Sequence, residues 1–519
     1  MCAYQSVNGV PMCANGFILN RVVRDDWGWK GFVVSDCDAV NTMMVRGEPG
    51  GNKYFGHAYS LSGPMAVQDG VRAGTDSGCG APYKEYGMQA IEMGLVTEKE
   101  LDASVRRLLR PHFQMGLFDP LEGQPWVKYD WTNVATPEHQ QLALDAARQS
   151  MVLLQNPSEL LPLQPGVKVL VAGPLFDAAE VLLGNYHGTA APMQPLWAHI
   201  MDFNGNSSTI TSDAYKSHGD CHDANASSIP GVVAAAEKVD TVVLVLGGDC
   251  HEGEGKDRDF LHLPGAQSQL FKEVLMTRKK VVVVIINGGV YSIDEIKGTA
   301  AAVIQVGFPG QSGGQAIAET LFGENNPGGK LTTTIYPAAY ANGEPMDGTP
   351  WMDAGLRPRA ATNLPASEGR THMFYTGTPL FSFGFGLSYT NFSLAFSGSS
   401  VSSAATTTVD LTELPHAFTR VSFDVEVTNT GRRVGKETVM AYWTPPNDVD
   451  PDLKQQLFDF QGVVLEPSAS QTLTFNLPQP IALATVSLNG DRVLYPGDYK
   501  VRFSRGHGAD LMKIVTVKG

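Results

Sequence analysis

Two stretches of the chain carry side chains suited to chemistry. The first, GFVVSDCDAV (31–40), ends a β-branched apolar run on Asp36, with Cys37 next. A carboxylate at the C-terminal end of a buried strand stands where βα-barrels and open α/β sheets build their active sites. There it serves as nucleophile or general base, or it caps the following helix, a common use of Asp after a strand. The second stretch, CHEGEGKDRDFLHLPG (250–265), directly follows the apolar run DTVVLVLGG, and six of the nine residues from His251 to Asp259 are formally charged. It reads either as a solvated, glycine-rich loop or as a loop carrying a protonatable glutamate, with Asp257 and Arg258 anchoring its base. Other patterns carry less. FPGQSGG (308–314) lacks the Lys-Ser/Thr of a phosphate loop, the twelve histidines include no HExxH, and Ser35 is not in a GxSxG elbow.

The totals narrow the function classes. A chain of 519 residues, 43% hydrophobic and 18% charged, is globular and long enough for two to four domains. A formal net charge of −15 argues against general binding to nucleic acid or anionic membranes and suits a neutral substrate. The longest apolar runs, such as VVVVII (281–286), are strand-sized and far short of a membrane span. The six cysteines, Cys2, Cys13, Cys37, Cys79, Cys221 and Cys250, form no CxxC pair and no Cys/His cluster with zinc spacing; separately, no cofactor or catalytic metal is implied. Sequons begin at Asn206, Asn225 and Asn391 and give modest weight to a secreted protein. The opening MCAYQSVNGVPMCANG has no charged or leader-like region and reads as starting within a domain.

The elements that must position these residues follow from periodicity. Residues 1–120 alternate helix-like and strand-like signals. PMCANGFILNRVVRDDWGW has helical spacing, GFVVSD is a short buried strand, and AVQDGVRAG is a helix. TEKELDASVRRLLRPHFQMG opens on Thr97 and Glu100, a capping-box pair, with Leu101, Val105, Leu108 and Leu109 on one face. Residues 121–145 read as a linker entering a helix, which QLALDAARQSMVLLQN continues. From 146 to 340, strands at 167–173, 240–248, 279–288 and 301–307 alternate with helices, a parallel sheet buried on both faces. Residues 341–390 form a long Gly-, Pro- and aromatic-rich connection. Residues 391–519 alternate as a β-sandwich.

In their order along the chain, MCAYQSVNGVPMCAN, GFVVSDCDAV, VRAGTDSGCG, RLLRPHFQMGLFDP, AARQSMVLLQN, GNYHG, EGEGKDRDFLHLPG, GFPGQSGGQAIAETLFGENNPGGKL and PLFSFGFGLSYTNF resemble glycoside hydrolase family 3. VEVTNTGRRVGKETVMAYW and PGDYKVRFS resemble that family's fibronectin-III-like domain. The resemblance implies an α/β chain: a partial (β/α)8-type barrel (1–120), an α/β sandwich domain (146–340) and the fibronectin-III-like β-sandwich. It implies a retaining exo-glycosidase with Asp36 as nucleophile and Glu254 as acid/base, Glu252 being the alternative. A retaining mechanism needs an ionised and a protonated carboxyl about 5–5.5 Å apart. Cys37 and Cys79 match the β-xylosidase-like branch, where a disulfide beside the nucleophile would exclude a hydroxymethyl group and favour pentoses, or only stabilise the loop. Cys2–Cys13 and Cys221–Cys250 are the remaining pairings. Tyr4 matches a tyrosine near the nucleophile and is expected to orient its carboxylate, while Gln5 departs from the usual asparagine. The resemblance implies an oligosaccharide substrate, xyloside before glucoside, no nucleic-acid or membrane partner, and an extracellular protein. Because the family's barrel starts well before Met1, it also implies a truncated, inactive chain. A non-catalytic carbohydrate-binding fragment is the reading from another class.

Overall fold

The computed structural model describes residues 1–44, 56–205, 209–211, 226–248, 252–253, 261–341, 355–360, 366–397, 406–410, 421–477, 483–487 and 489–518. It divides into two compact units, Met1–Val134 and Ala135–Gly519.

In the first unit, three short extended segments run parallel, joined by the bridges Cys2↔Ser35 and Val34↔Ser77. The expected strand GFVVSD is only bridge-length, though its ladder is complete where it counts: Cys2 N–H donates to Val34 O (2.9 Å), Asp36 N–H to Cys2 O (2.9 Å) and Ser35 N–H to Ser77 O (2.8 Å). A hairpin, β1 (Ser6–Val7) and β2 (Val10–Pro11), and a π-helix over Phe17–Asp26 follow the first segment. The expected helix over 11–29 is therefore present but wound wider. Helix α1 (Gly63–Ala73) precedes the third segment and ends at Gly74, whose φ of +98° and close approach to Asn20 Oδ1 admit no side chain. Helices α2 (Pro82–Glu92) and α3 (Glu98–Gln114) complete the unit.

The Thr97/Glu100 capping box forms as its spacing implies. The apolar face expected on α3 is only partly used: Leu101 packs with Val67, Val71, Ala90 and Val96, but Val105 and Leu109 are exposed. An ion pair rather than an apolar stripe fixes the helix. Arg107 reaches the Asp76 carboxylate (2.7 Å), which is fully buried and also accepts from Arg24 (2.7 Å) and from the Val33 N–H (2.9 Å). One carboxylate thus holds the second segment, the third segment, the π-helix and α3.

The second unit begins with α4 (Pro137–Ser150), capped by Thr136. The expected continuation of this helix through MVLLQ is incorrect: Val152–Gln155 is a strand, β3. Its β-branched and leucine side chains are buried at the edge of a six-stranded sheet, and that burial outweighs the helical reading. With β4 (Val169–Ala172), β5 (Thr209–Thr211), β6 (Thr241–Gly247), β7 (Lys280–Ile286) and β8 (Ala302–Gln305), the order is β3-β8-β7-β6-β4-β5, parallel except for β3. Side-chain alternation along β6 sends Val242, Leu244 and Leu246 to α6 (Ile229–Ala236) and α7 (Gln267–Met276). Val243 and Val245 go to α4, α5 (Leu196–Asn204) and α8 (Gly313–Phe322). Each such side chain removed from water contributes about 1.5–3 kcal/mol. Arg148 of α4 clamps the buried Glu319 of α8 with two bonds (2.5 and 2.8 Å).

The chain then forms a short helix, α9 (Thr371–Phe374), and a β-sandwich. One sheet comprises β9 (Phe392–Phe396), β11 (Val421–Asn429) and β14 (Ser470–Leu477). The other comprises β10 (Thr406–Asp410), β12 (Gly435–Thr444), β13 (Gln456–Leu465), β17 (Gly497–Ser504) and β18 (Leu511–Lys518). A small hairpin, β15 (Thr485–Val486) and β16 (Arg492–Val493), lies between them in sequence. Alternate residues of β11 meet Phe475, Tyr499 and Phe503 in the core. A buried ionic cluster joins the sandwich to the segment after the six-stranded sheet. Lys330 Nζ contacts Glu437 (2.7 Å) and the carbonyls of Gly386 (2.8 Å) and Arg505 (3.0 Å), while Arg505 contacts the same carboxylate (3.3 Å).

Candidate active site

Asp36 lies at the C-terminal end of the middle parallel segment of the first unit, after the fully buried Ser35. Its Oδ1 accepts from the adjacent Cys37 N–H (2.7 Å). The next helical turn, Asn41–Met43, is entered at Val40 without any side-chain cap. The capping role allowed by the sequence is thus not the one this carboxylate takes.

Cys37 and Cys79 are disulfide-bonded with Cα atoms 4.2 Å apart, so a covalent strap crosses from the end of the Asp36 segment to the end of its neighbour. Its surroundings are tightly set. Cys79 N–H donates to Ser35 Oγ (3.0 Å) and Asp38 N–H to Cys79 O (2.7 Å). Gly80, at φ +111°, leaves no room for a Cβ against Asp38. Cys2 and Cys13 form a second disulfide, and Cys221 and Cys250 lie outside the described residues.

Tyr4 reaches this place differently from the expectation. Its phenol donates to the Cys37 carbonyl (2.6 Å), holding the peptide that follows Asp36 rather than the carboxylate itself. His57 Nε2 in turn bonds the Tyr4 carbonyl (2.6 Å). A chain of contacts therefore runs His57–Tyr4–Cys37–Asp36. No sequence pattern marks His57, a lone histidine whose partner is a main-chain carbonyl brought near only by folding.

In the second unit, the charged loop leaves the C-terminal end of β6, where ligands of parallel sheets are bound. That exit is built for close approach. A Cβ at Gly247 would strike Ile286 O, and the fully buried Gln267 side chain brackets Gly247 by pairing with both its N–H and its C=O (2.8 Å each). Glu252 folds back onto the end of β7, where its Oε2 accepts from the Gly288 N–H and from the Gly289 N–H (3.4 Å). This carboxylate anchors the loop to the end of β7. Gly253 lies against Asn185 of the GNYHG motif, and Gly288 against Phe308. Glu254 itself lies outside the described residues, as do Asp257 and Arg258. No group of three or more metal-type side chains is gathered among the described residues.

Residues 1–111 match the glycosyl hydrolase family 3 N-terminal domain, 151–389 the family 3 C-terminal domain and 437–506 a fibronectin type III-like domain. The chain is 34% identical to exo-1,4-beta-xylosidase xlnD of Emericella nidulans, over 96% of its own length and 60% of that protein's. It is 33% identical to Beta-D-xylosidase 1 of Arabidopsis thaliana, over 100% and 66%. A solved GH3 exo-beta-xylosidase (XlnD), in complex with a xylobiose aziridine probe, superposes with a TM-score of 0.84 at 30% identity, covering 100% of this chain and 66% of that one. The chain thus spans somewhat less than two thirds of the length of these relatives. With family 3 domains on both sides of the linker and the sandwich after them, the chain belongs to glycoside hydrolase family 3.

Proposed function

We propose that the protein is a retaining exo-glycosidase that removes terminal β-xylosyl residues from xylo-oligosaccharides. The observation that carries the reading is Asp36: a strand-end carboxylate with no capping duty, strapped at its next residue by the Cys37–Cys79 bond. In this reading an Asp36 oxygen attacks the anomeric carbon and forms a glycosyl ester as the bond to the leaving oxygen breaks. Glu254 gives its proton to that oxygen, then takes one from the water that cleaves the ester. The xylosidase relatives and the similar domain order support the pairing. The anchoring of Glu252 to Gly288 and Gly289 supports Glu254 over Glu252.

The disulfide, with Tyr4 bonded beside it, is the reading's specificity element: a rigid wall where a glucoside would place its hydroxymethyl group. The two disulfides are also consistent with an oxidising, extracellular setting. The test is turnover of aryl β-xylosides and aryl β-glucosides by the full-length protein. Xyloside cleavage with retained anomeric configuration, abolished by Asp36→Asn and lowered about 10²–10⁴-fold by Glu254→Gln, is the expected outcome. Equal turnover of both glycosides removes the specificity claim. Turnover that survives Asp36→Asn removes the catalytic one.

A further inference from the structure

Within the second unit, α9 and the segment after it face the sandwich across a cavity of about 360 Å³, in the size range of small-ligand sites. It shares no residue with the glycine-rich rim around Glu252. One wall is aromatic: the His372 and Phe383 rings stack at 4.2 Å, and Tyr442 meets His372 edge-on at 6.1 Å. The lining also carries fixed charge. Arg502 lies over the Tyr442 ring (4.8 Å) and is pinned by Asp510 (2.7 Å) and by Gln455. Lys454 also lines the cavity, and no carboxylate among the described residues pairs with it. The walls are held close: a Cβ at Gly506 would strike the Gly384 carbonyl, and Ser504 Oγ fixes the Gly506 N–H (3.0 Å).

The chemistry of the lining selects among ligands. Burial, reinforced by Arg502, holds His372 below the ordinary imidazole value, so at neutral pH it presents one donor and one acceptor. Neither ring nitrogen is bonded to a described residue. That pair matches a hydroxyl group, which both donates and accepts, and the flat rings match the C–H face of a sugar. Among the described lining residues, two cations stand against one carboxylate, a positive balance in a chain of net charge −15. We propose that this cavity is a second carbohydrate site, which takes a short oligosaccharide bearing a uronic-acid carboxylate. The sugar rings lie along His372 and Phe383, and the carboxylate meets Lys454. The choice of a sugar ligand rests on the glycosidase reading above.

The test is calorimetric titration of the full-length protein carrying Asp36→Asn, so that the probe is not consumed. The probes are xylotriose and xylotriose bearing one glucuronic acid. The acidic probe is expected to bind at least about tenfold more tightly than the neutral one, and to lose that advantage in Lys454→Ala and in His372→Ala. The exposed Lys454 ammonium makes no bond to a described residue, so its variant separates lost recognition from lost folding. Equal affinity for the two probes, or an advantage that survives both substitutions, overturns the proposal. Aryl xyloside turnover without the Asp36 substitution is expected to be unchanged by Lys454→Ala. Binding that depends on Lys454 without any turnover would leave the cavity standing and remove the glycosidase reading. Turnover without such binding would do the reverse.

Discussion

The two units are stabilised by different means. The second buries whole strands: every residue of β6, and all of β7 after Lys280, is out of water, and a helix layer covers each face. The first has bridge-length segments and two small apolar clusters, and it leaves Trp27 (75% exposed), Phe113 (63%) and Trp131 (82%) largely in solvent. It is held by directed bonds: two disulfides and one carboxylate buried between two arginines. Closing the 42-residue separation between Cys37 and Cys79 alone is worth roughly 3–4 kcal/mol by loop entropy. Where burial is scarce, a few named contacts carry the stability, and single substitutions there have outsized effects.

The contrast is sharpest at Asp76. Asp76→Ala leaves Arg24 and Arg107 facing an empty site and is expected to cost about 3–5 kcal/mol. Hydrogen exchange should accelerate in α1 and α3 while β6 and β7 stay protected. Unchanged protection in α1 would break the comparison. The corresponding cut in the second unit is Glu319→Gln, which removes the clamp on Arg148. Because that arginine is partly exposed and apolar packing remains, the expected loss is smaller, about 1.5–3 kcal/mol, read from the urea midpoint.

Acid provides a third probe, directed at the second unit. Burial, with Lys330 and Arg505 nearby, pushes His507 down to about 4. The unfolded chain then binds a proton that the folded one refuses, so stability falls as pH drops from the ordinary histidine range near 6.5 toward 4. His507→Gln should flatten that slope in melts recorded across the window. An unaltered slope would assign the acid sensitivity elsewhere. The smallest effect is expected at Thr97→Ala, about 1 kcal/mol from loss of the α3 cap. The Thr97 N–H and hydroxyl hold the Glu100 carboxyl below its usual value, so this contribution persists at mildly acidic pH and disappears only as pH falls through the lowered value.

Local and repetitive signals were legible in the sequence. The apolar runs at 167–173, 240–248, 279–288 and 301–307 became β4, β6, β7 and β8 because continuous β-branched side chains suit a sheet covered on both faces. The Thr97 cap was legible because its partner is three residues away. MVLLQ was misread because four apolar residues after a helix carry no period of their own, and only the vacant edge beside β8 makes them a strand. In the candidate site, Asp36 and its neighbouring cysteine stood out by type and place. His57, Gln267 and the Glu252 anchor did not, because each acts on main-chain groups supplied by distant segments, and no side-chain pattern records such a partner.

The ionic cluster around Lys330 has a consequence for how the C-terminal sandwich should be treated. Burial pulls the Lys330 ammonium toward its neutral form, and Glu437, on β12, is what opposes that pull. The sandwich is therefore no detachable appendage on a flexible tether. Cutting the chain ahead of it would strand a cation in the remaining domain without its counter-ion, so expression boundaries drawn at the apparent module junction would sever a joint that both modules need.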